Sequence, residues 1–118
     1  MDMATLELLD EETWEPFINA PISVLILSKD DCKACSQLSD ELGVWFSTEH
    51  VPSNIRYGKI MLDHPGMGRF KITHHWVSNI DIMPFIALFV DGERVSEWSG
   101  GNLSLFQRQI RQVLETIG

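Results

Sequence analysis

Two cysteines are all the thiol chemistry this chain of 118 residues carries, too few for a small fold stapled by several disulfides. Positive charge is also scarce: 9 Lys and Arg stand against 17 Asp and Glu, a formal net charge of -8. Nucleic acids and anionic membrane surfaces are bound by clustered cations that displace counterions, so this charge balance argues against both. The acidity reads first as a solvated, self-repelling surface and second as a preference for basic partners. No apolar run is long enough to span a bilayer, and the longest, Ile82 to Val90, contains Pro84. The opening stretch MDMATLELLDEE is acidic and has neither the basic nor the apolar part of a secretory signal. No internal repeat, low-complexity tract or Pro/Gly-rich linker divides the chain. With 44% hydrophobic residues, the expectation is a single domain over 1–118, soluble, cytoplasmic and monomeric.

Periodicity organises what is present. Thr5 to Leu9 reads as a short strand, followed by a helix from about Glu11 to Ala20 with Trp14, Phe17 and Ile18 on one face. Pro16 is tolerated only in a first turn, which makes Thr13 the expected N-cap. Ile22 to Ser28 (ISVLILS) is a nearly continuous β-branched and apolar run, the pattern of a central strand covered on both faces. Cys35, Leu38, Leu42 and Trp45 then recur at helical steps within a helix over about Cys32 to Ser47. Val51 to Asn54 forms a turn and Ile55 to Leu62 another strand. Pro65, Gly66 and Gly68 break the next segment, leaving a short helix over Arg69 to Trp76. Phe85 to Val90 and Glu93 to Trp98 flank Asp91-Gly92, a type I′ hairpin signal. A last helix has Ser104 and Gln107 as a capping box and Phe106, Ile110, Val113, Leu114 and Ile117 as its buried stripe. The order βαβαβαββα implies an α/β fold, a mixed central sheet flanked by helices on both faces.

The two cysteines lie within KDDCKACSQL, as Cys32-Lys33-Ala34-Cys35. A redox pair, half of a metal site and coincidence are the three readings of such spacing. A zinc site would need two histidines from His64, His74 and His75, but the adjacent His74 and His75 diverge on a helix or strand, and no second C-x-x-C exists. No metal is expected, and the histidines read as surface or loop residues. At a helix N-terminus, free amides and the macrodipole favour a thiolate, which makes Cys32 the candidate nucleophile. Cys35, one turn on and on the apolar face, is the candidate resolving thiol. Trp14, Trp45 and Trp98 read as packing residues; Trp76, in the glycine-broken segment, is the exception.

Taken in order, these features make the chain similar to the thioredoxin family. The resemblance covers nearly its whole length: a central strand running into Cys32-Lys33-Ala34-Cys35 at a helix start, Met83-Pro84 opening a strand, the Asp91-Gly92 hairpin, Gly101 and an amphipathic last helix. It implies a thioredoxin-like fold, with Pro84 in a cis bond beside the cysteines and Met83 offering its backbone to an extended substrate; Gly101 falls in the same implied substrate groove. The site departs from the family's usual W-C-G-P-C: Asp31 precedes Cys32, and Lys33 and Ala34 stand inside the pair. The family's buried strand aspartate, six residues before the first cysteine, matches Ile26, which removes the usual proton acceptor for Cys35. Asp30 and Asp31 oppose a thiolate at Cys32 by like charge or act as helix-capping carboxylates, while Lys33 and the helix terminus favour the thiolate.

The expected function is thiol-disulfide oxidoreduction on protein disulfides through Cys32 and Cys35. No cofactor is needed beyond the cysteine pair, which a separate thioredoxin-reductase-like electron donor must recycle. The alternative is a thioredoxin-fold interaction or assembly module that binds a client through the same groove without turnover; the missing aromatic before Cys32 and Ile26 in place of Asp support it.

Overall fold

The computed structural model describes residues 4–48 and 50–117. Its elements run β1 (Leu6–Leu8), α1 (Trp14–Ile18), β2 (Ile22–Ser28), α2 (Lys33–Phe46), β3 (Arg56–Met61), α3 (Gly68–Thr73), a 3-10 helix (His75–Asn79), β4 (Phe85–Val90), β5 (Glu93–Ser99) and α4 (Leu103–Ile117). Five strands form one sheet in the order β1-β3-β2-β4-β5. β1 and β2 both run parallel to β3, whereas β4 is antiparallel to β2 and to β5. The expected mixed sheet with helices on both faces is therefore present.

β2 sits at the centre of this sheet and all of its residues are buried, which is why its sequence shows no polar alternation. Val24 and Ile26 pack toward α2 and α4 with Leu38, Leu42, Trp45, Phe106 and Ile110. Leu25 and Leu27 point the other way, into a cluster with Trp14, Phe17 and Phe70 from α1 and α3. Complete burial of each such side chain contributes roughly 1.5–3 kcal/mol, so both helical layers are tied to this one strand. Trp45 meets the rings of Tyr57 and Phe106 edge-on at 6.1 and 6.2 Å. That aromatic wedge locks α2 between β3 and α4 and so fixes the helix whose first turn carries the cysteines.

Several local expectations need correction. α1 is shorter than Glu11 to Ala20; Thr13 holds the N-cap position as expected, but its side chain makes no cap hydrogen bond into the helix. Asp10 orders the turn that leads into it: its Oδ1 accepts the amides of Glu12 and Thr13, and its own amide donates to Thr13 Oγ1. The helix expected over Arg69 to Trp76 ends at Thr73, and a 3-10 helix follows from His75. His74 makes the break, with its ring at hydrogen-bond distance from the Phe70 carbonyl at 3.1 Å. α4 begins before Ser104: Asn102 Oδ1 accepts the Leu105 amide at 3.0 Å, so Asn102 and not Ser104 caps it. Its stripe is buried at Phe106 and Ile110, but Val113 and Leu114 are half-buried and Ile117 is 46% exposed. The helix runs off the core at its C-terminal end. The hairpin follows its signal, since Asp91 and Gly92 both have positive φ (51° and 87°) between Val90 and Glu93.

Candidate functional site: the cysteine pair at the start of α2

Cys32 is the N-cap of α2, with extended backbone (φ -110°, ψ 103°), and its Sγ accepts the Cys35 amide at 3.2 Å. Sulfur here occupies the place a Ser or Asp oxygen takes in ordinary caps. Cys32 and Cys35 form a disulfide, their Cα atoms 5.2 Å apart. Cys32 is half-buried, whereas Cys35 is only 5% exposed. The free amides of the first turn and the helix dipole therefore act on Cys32 in reach of solvent, while Cys35 lies under the helix.

The approach to Cys32 has its own restraints. Asp31 sits at φ 57°, a left-handed conformation that Asp tolerates better than most residues. The Asp30 amide donates to Asp63 Oδ2 at 2.9 Å, and its carboxylate faces His64 Nε2 at 3.1 Å. Asp30, Asp31 and Lys33 are all exposed. Thus Asp30 ties the loop before Cys32 to the segment after β3, a role the sequence did not signal. The contact with His64 is solvent-exposed and contributes little on its own.

Met83-Pro84 is cis, in agreement with the resemblance. Phe85 pairs with Leu27, so Pro84 enters the sheet opposite the C-terminal end of β2, the end from which the cysteine loop departs. Pro84 is buried and its carbonyl accepts the Gly100 amide at 2.8 Å. Gly101 follows, close against the first turn of α2: a Cβ built on it would lie 2.9 Å from the Ala34 carbonyl oxygen. Ala34 and Gly101 line one cleft with Gln37 and Asn102. Met83 is half-buried and packs on the opposite layer, against the same cluster as Phe85 and Trp76. Trp76 itself stacks under Arg94, 4.2 Å from guanidinium carbon to ring centroid, and pairs with Phe85 at 5.7 Å.

Ile26 is 2% exposed and packs in the α2 and α4 layer. Its strand partner is Lys59, whose Nζ donates to Ser39 Oγ at 3.3 Å. A cleft beside Cys35 is lined by Ser28, Ser39, Asp40 and Lys59 among others. Sequence reading missed these four because only strand register brings β2, β3 and α2 together there; the alternation placing Ser28 on the face of Ile26 was the one available signal. Among the described residues, the only cluster of three or more His, Cys, Asp or Glu side chains close enough to share a cation is Asp30, Asp63 and His64, without a cysteine. No described helix is long and apolar enough to cross a membrane.

No protein-family model matches the chain, and no curated protein matches it. Solved structures do. Thioredoxin f2 of Chlamydomonas reinhardtii is 21% identical with a TM-score of 0.72, over 92% of this chain and 95% of that one. A Malassezia sympodialis thioredoxin reaches a TM-score of 0.76 at 14% identity, over 95% and 93%. A chain from the complex of ferredoxin:thioredoxin reductase with thioredoxin f2 gives 0.74 at 14% identity, over 96% and 98%. At such identities the likeness is one of architecture, and this chain has the thioredoxin fold, with the Cys32–Cys35 disulfide at the start of α2.

Proposed function

We propose that the protein is a thiol-disulfide oxidoreductase that reduces or exchanges disulfides in other proteins. The observation that carries this reading is Cys32 itself: a helix N-cap whose sulfur accepts a backbone amide and is bonded to a buried partner one turn on. Amide donation and the helix dipole stabilise a thiolate at Cys32 once the pair is reduced. That thiolate attacks a substrate disulfide, forming a mixed disulfide and releasing one substrate sulfur as a thiolate. Cys35 then attacks Cys32 Sγ, re-forming the Cys32–Cys35 bond and freeing the second substrate thiol.

Met83, Pro84 and Gly101 supply the substrate groove in this reading, and the exposed Asp30, Asp31 and Lys33 set its charge. The reaction uses no cofactor beyond the cysteine pair. Each turnover leaves the pair oxidised, so an external dithiol reductase of the thioredoxin-reductase class must recycle it. One structural neighbour is known in complex with ferredoxin:thioredoxin reductase, which supports a donor of that general kind. The reading places the protein in a reducing compartment such as the cytoplasm.

Insulin reduction, driven by a recycling reductant, tests the proposal. Turnover should depend on both cysteines and vanish in Cys32→Ser. Binding of client proteins with no cysteine-dependent turnover would instead identify an interaction or assembly module built on this fold.

A further inference from the structure

Ile26 leaves no carboxylate in the core beneath Cys35, yet that face of the sheet is not wholly apolar. Residues paired directly across strands share a face, so the pairs Ile26 with Lys59 and Ser28 with Met61 bring Ser28 and Lys59 beneath α2. From above, α2 adds Cys35, Ser39 and Asp40, and together they wall a cleft of about 260 Å³. Ser28 Oγ is buried and has no hydrogen-bond partner. A buried hydroxyl left so costs on the order of 1–3 kcal/mol unless water reaches it. A polar cleft of this size has room for several water molecules beside it. The charged groups on its walls are Lys29, Lys59 and Asp40, and Asp40 is the one carboxylate.

We infer that this cleft is the exit route for the proton of the resolving thiol, with Asp40 as its acceptor. The inference rests on the oxidoreductase reading of the cysteine pair. In the mixed disulfide, the Cys35 Sγ–H proton passes through cleft water to the Asp40 carboxylate. The resulting thiolate attacks Cys32 Sγ; the Cys32–Cys35 bond forms as the bond from Cys32 to the substrate sulfur breaks. The substrate leaves as a thiolate and is protonated by solvent, to which Asp40 returns its own proton. Lys59 places a positive charge, and Ser28 a free hydroxyl, on the wall where the thiolate charge develops. Asp40 lies on the outer side of α2 and is exposed, so the path runs from the buried sulfur outward, where the family's usual route runs through the strand position that Ile26 occupies.

Single-turnover oxidation of the reduced protein by a peptide disulfide separates the two steps. The low-concentration slope reports attack by Cys32, and the plateau at high concentration reports resolution by Cys35. Asp40→Asn should leave the slope unchanged and lower the plateau about tenfold, short of the roughly 10²-fold or more of a fully sequestered base because solvent also reaches the cleft. Asp40→Glu should restore most of the plateau, a rescue that a purely structural role on an exposed helix face does not produce. Ser28→Ala should lower the plateau in the same direction. An unchanged plateau in folded Asp40→Asn overturns the inference and leaves the oxidoreductase reading intact. No cysteine-dependent oxidation in the unmodified protein overturns both.

Discussion

The amide of Cys35 donates to Cys32 Sγ at 3.2 Å, so the first cysteine of the pair caps the amide of the second. The two sulfurs thereby have unequal surroundings: Cys32 is half-buried at the helix terminus and Cys35 is only 5% exposed beneath it. Reduced protein treated with limiting iodoacetamide near neutral pH should be alkylated first at Cys32, as read by peptide mass mapping. In the same way, Cys35→Ser should accumulate mixed disulfides with partner proteins through Cys32, and Cys32→Ser should accumulate few. Equal labelling of both thiols, with nothing trapped by either variant, would remove the nucleophile assignment.

Gly101 should resist substitution. Its missing side chain lets the chain pass against the first turn of α2, where a Cβ would come within 2.9 Å of the Ala34 carbonyl oxygen. That neighbour is backbone, which cannot rotate away as a side chain can. Gly101→Ala should therefore lower stability by about 1–3 kcal/mol in urea titration, as overpacking does elsewhere. Displacing the first turn should also slow attack by Cys32. A variant as stable and as reactive as the parent would show that the two segments are free to move apart.

Tyr57 is buried between Phe46 and Phe106 with no partner for its hydroxyl, and burial pushes the phenol well above its ordinary value near 10. The charged form is disfavoured only in the folded state, so the unfolded chain loses this proton first as pH rises. Stability from this group is intact below pH 10 and falls as pH climbs above it. Alkaline titration at the phenolate absorbance is clean because the chain has one tyrosine. Phenolate should appear together with unfolding and not before it. Tyr57→Phe should match or exceed the parent by up to about 1 kcal/mol at neutral pH, since it removes a hydroxyl that forms no hydrogen bond. A phenolate forming in the folded protein near pH 10 would contradict the burial argument.

The helix caps show where the sequence was legible and where it was not. Cys32 was readable as the start of α2 because the apolar steps from Cys35 to Trp45 fix the helix face and Cys32 lies one residue ahead of the first turn. At α4, Asn102 and Ser104 are both good caps by residue type. Only the packing of Phe106, fully buried against Trp98 and Trp45, sets the helix to begin at Leu103. The mixed sheet with helices on both faces followed from the alternation of strands and helices, though the strand order did not. In contrast, the cleft of Ser28, Asp40 and Lys59 depends on the register of β2 against β3, which no local pattern specifies. The Asp30 tether to Asp63 spans 33 positions and was likewise invisible.

This choice of cap has a direct consequence. Asn102→Ala should cost about 1 kcal/mol, the usual loss of an N-cap, whereas Ser104→Ala should change stability by less than about 0.5 kcal/mol. Thermal or urea melts of the two variants distinguish the cases. The reverse ranking would restore Ser104 as the cap.

Ile26→Asp asks the most of the site. Ile26 is 2% exposed, in register with Lys59 on one side and Ile86 on the other. A carboxylate introduced there gives up apolar burial and loses its hydration, which should lower stability by about 2–4 kcal/mol. Lys59, its partner on the same face, limits that cost by offering a positive charge at close range. The new carboxylate would lie beneath α2, in the layer that holds Cys35, and give its proton an acceptor inside the core. Resolution of a model mixed disulfide, followed by stopped flow below the unfolding threshold, should therefore become faster than in the parent. Attack by Cys32 should not change, because its helix terminus is untouched. Combining Ile26→Asp with Asp40→Asn should keep most of the gain, since the inner acceptor makes the outer one dispensable. A folded Ile26→Asp protein that resolves no faster than the parent would show that proton removal from Cys35 does not limit the reaction.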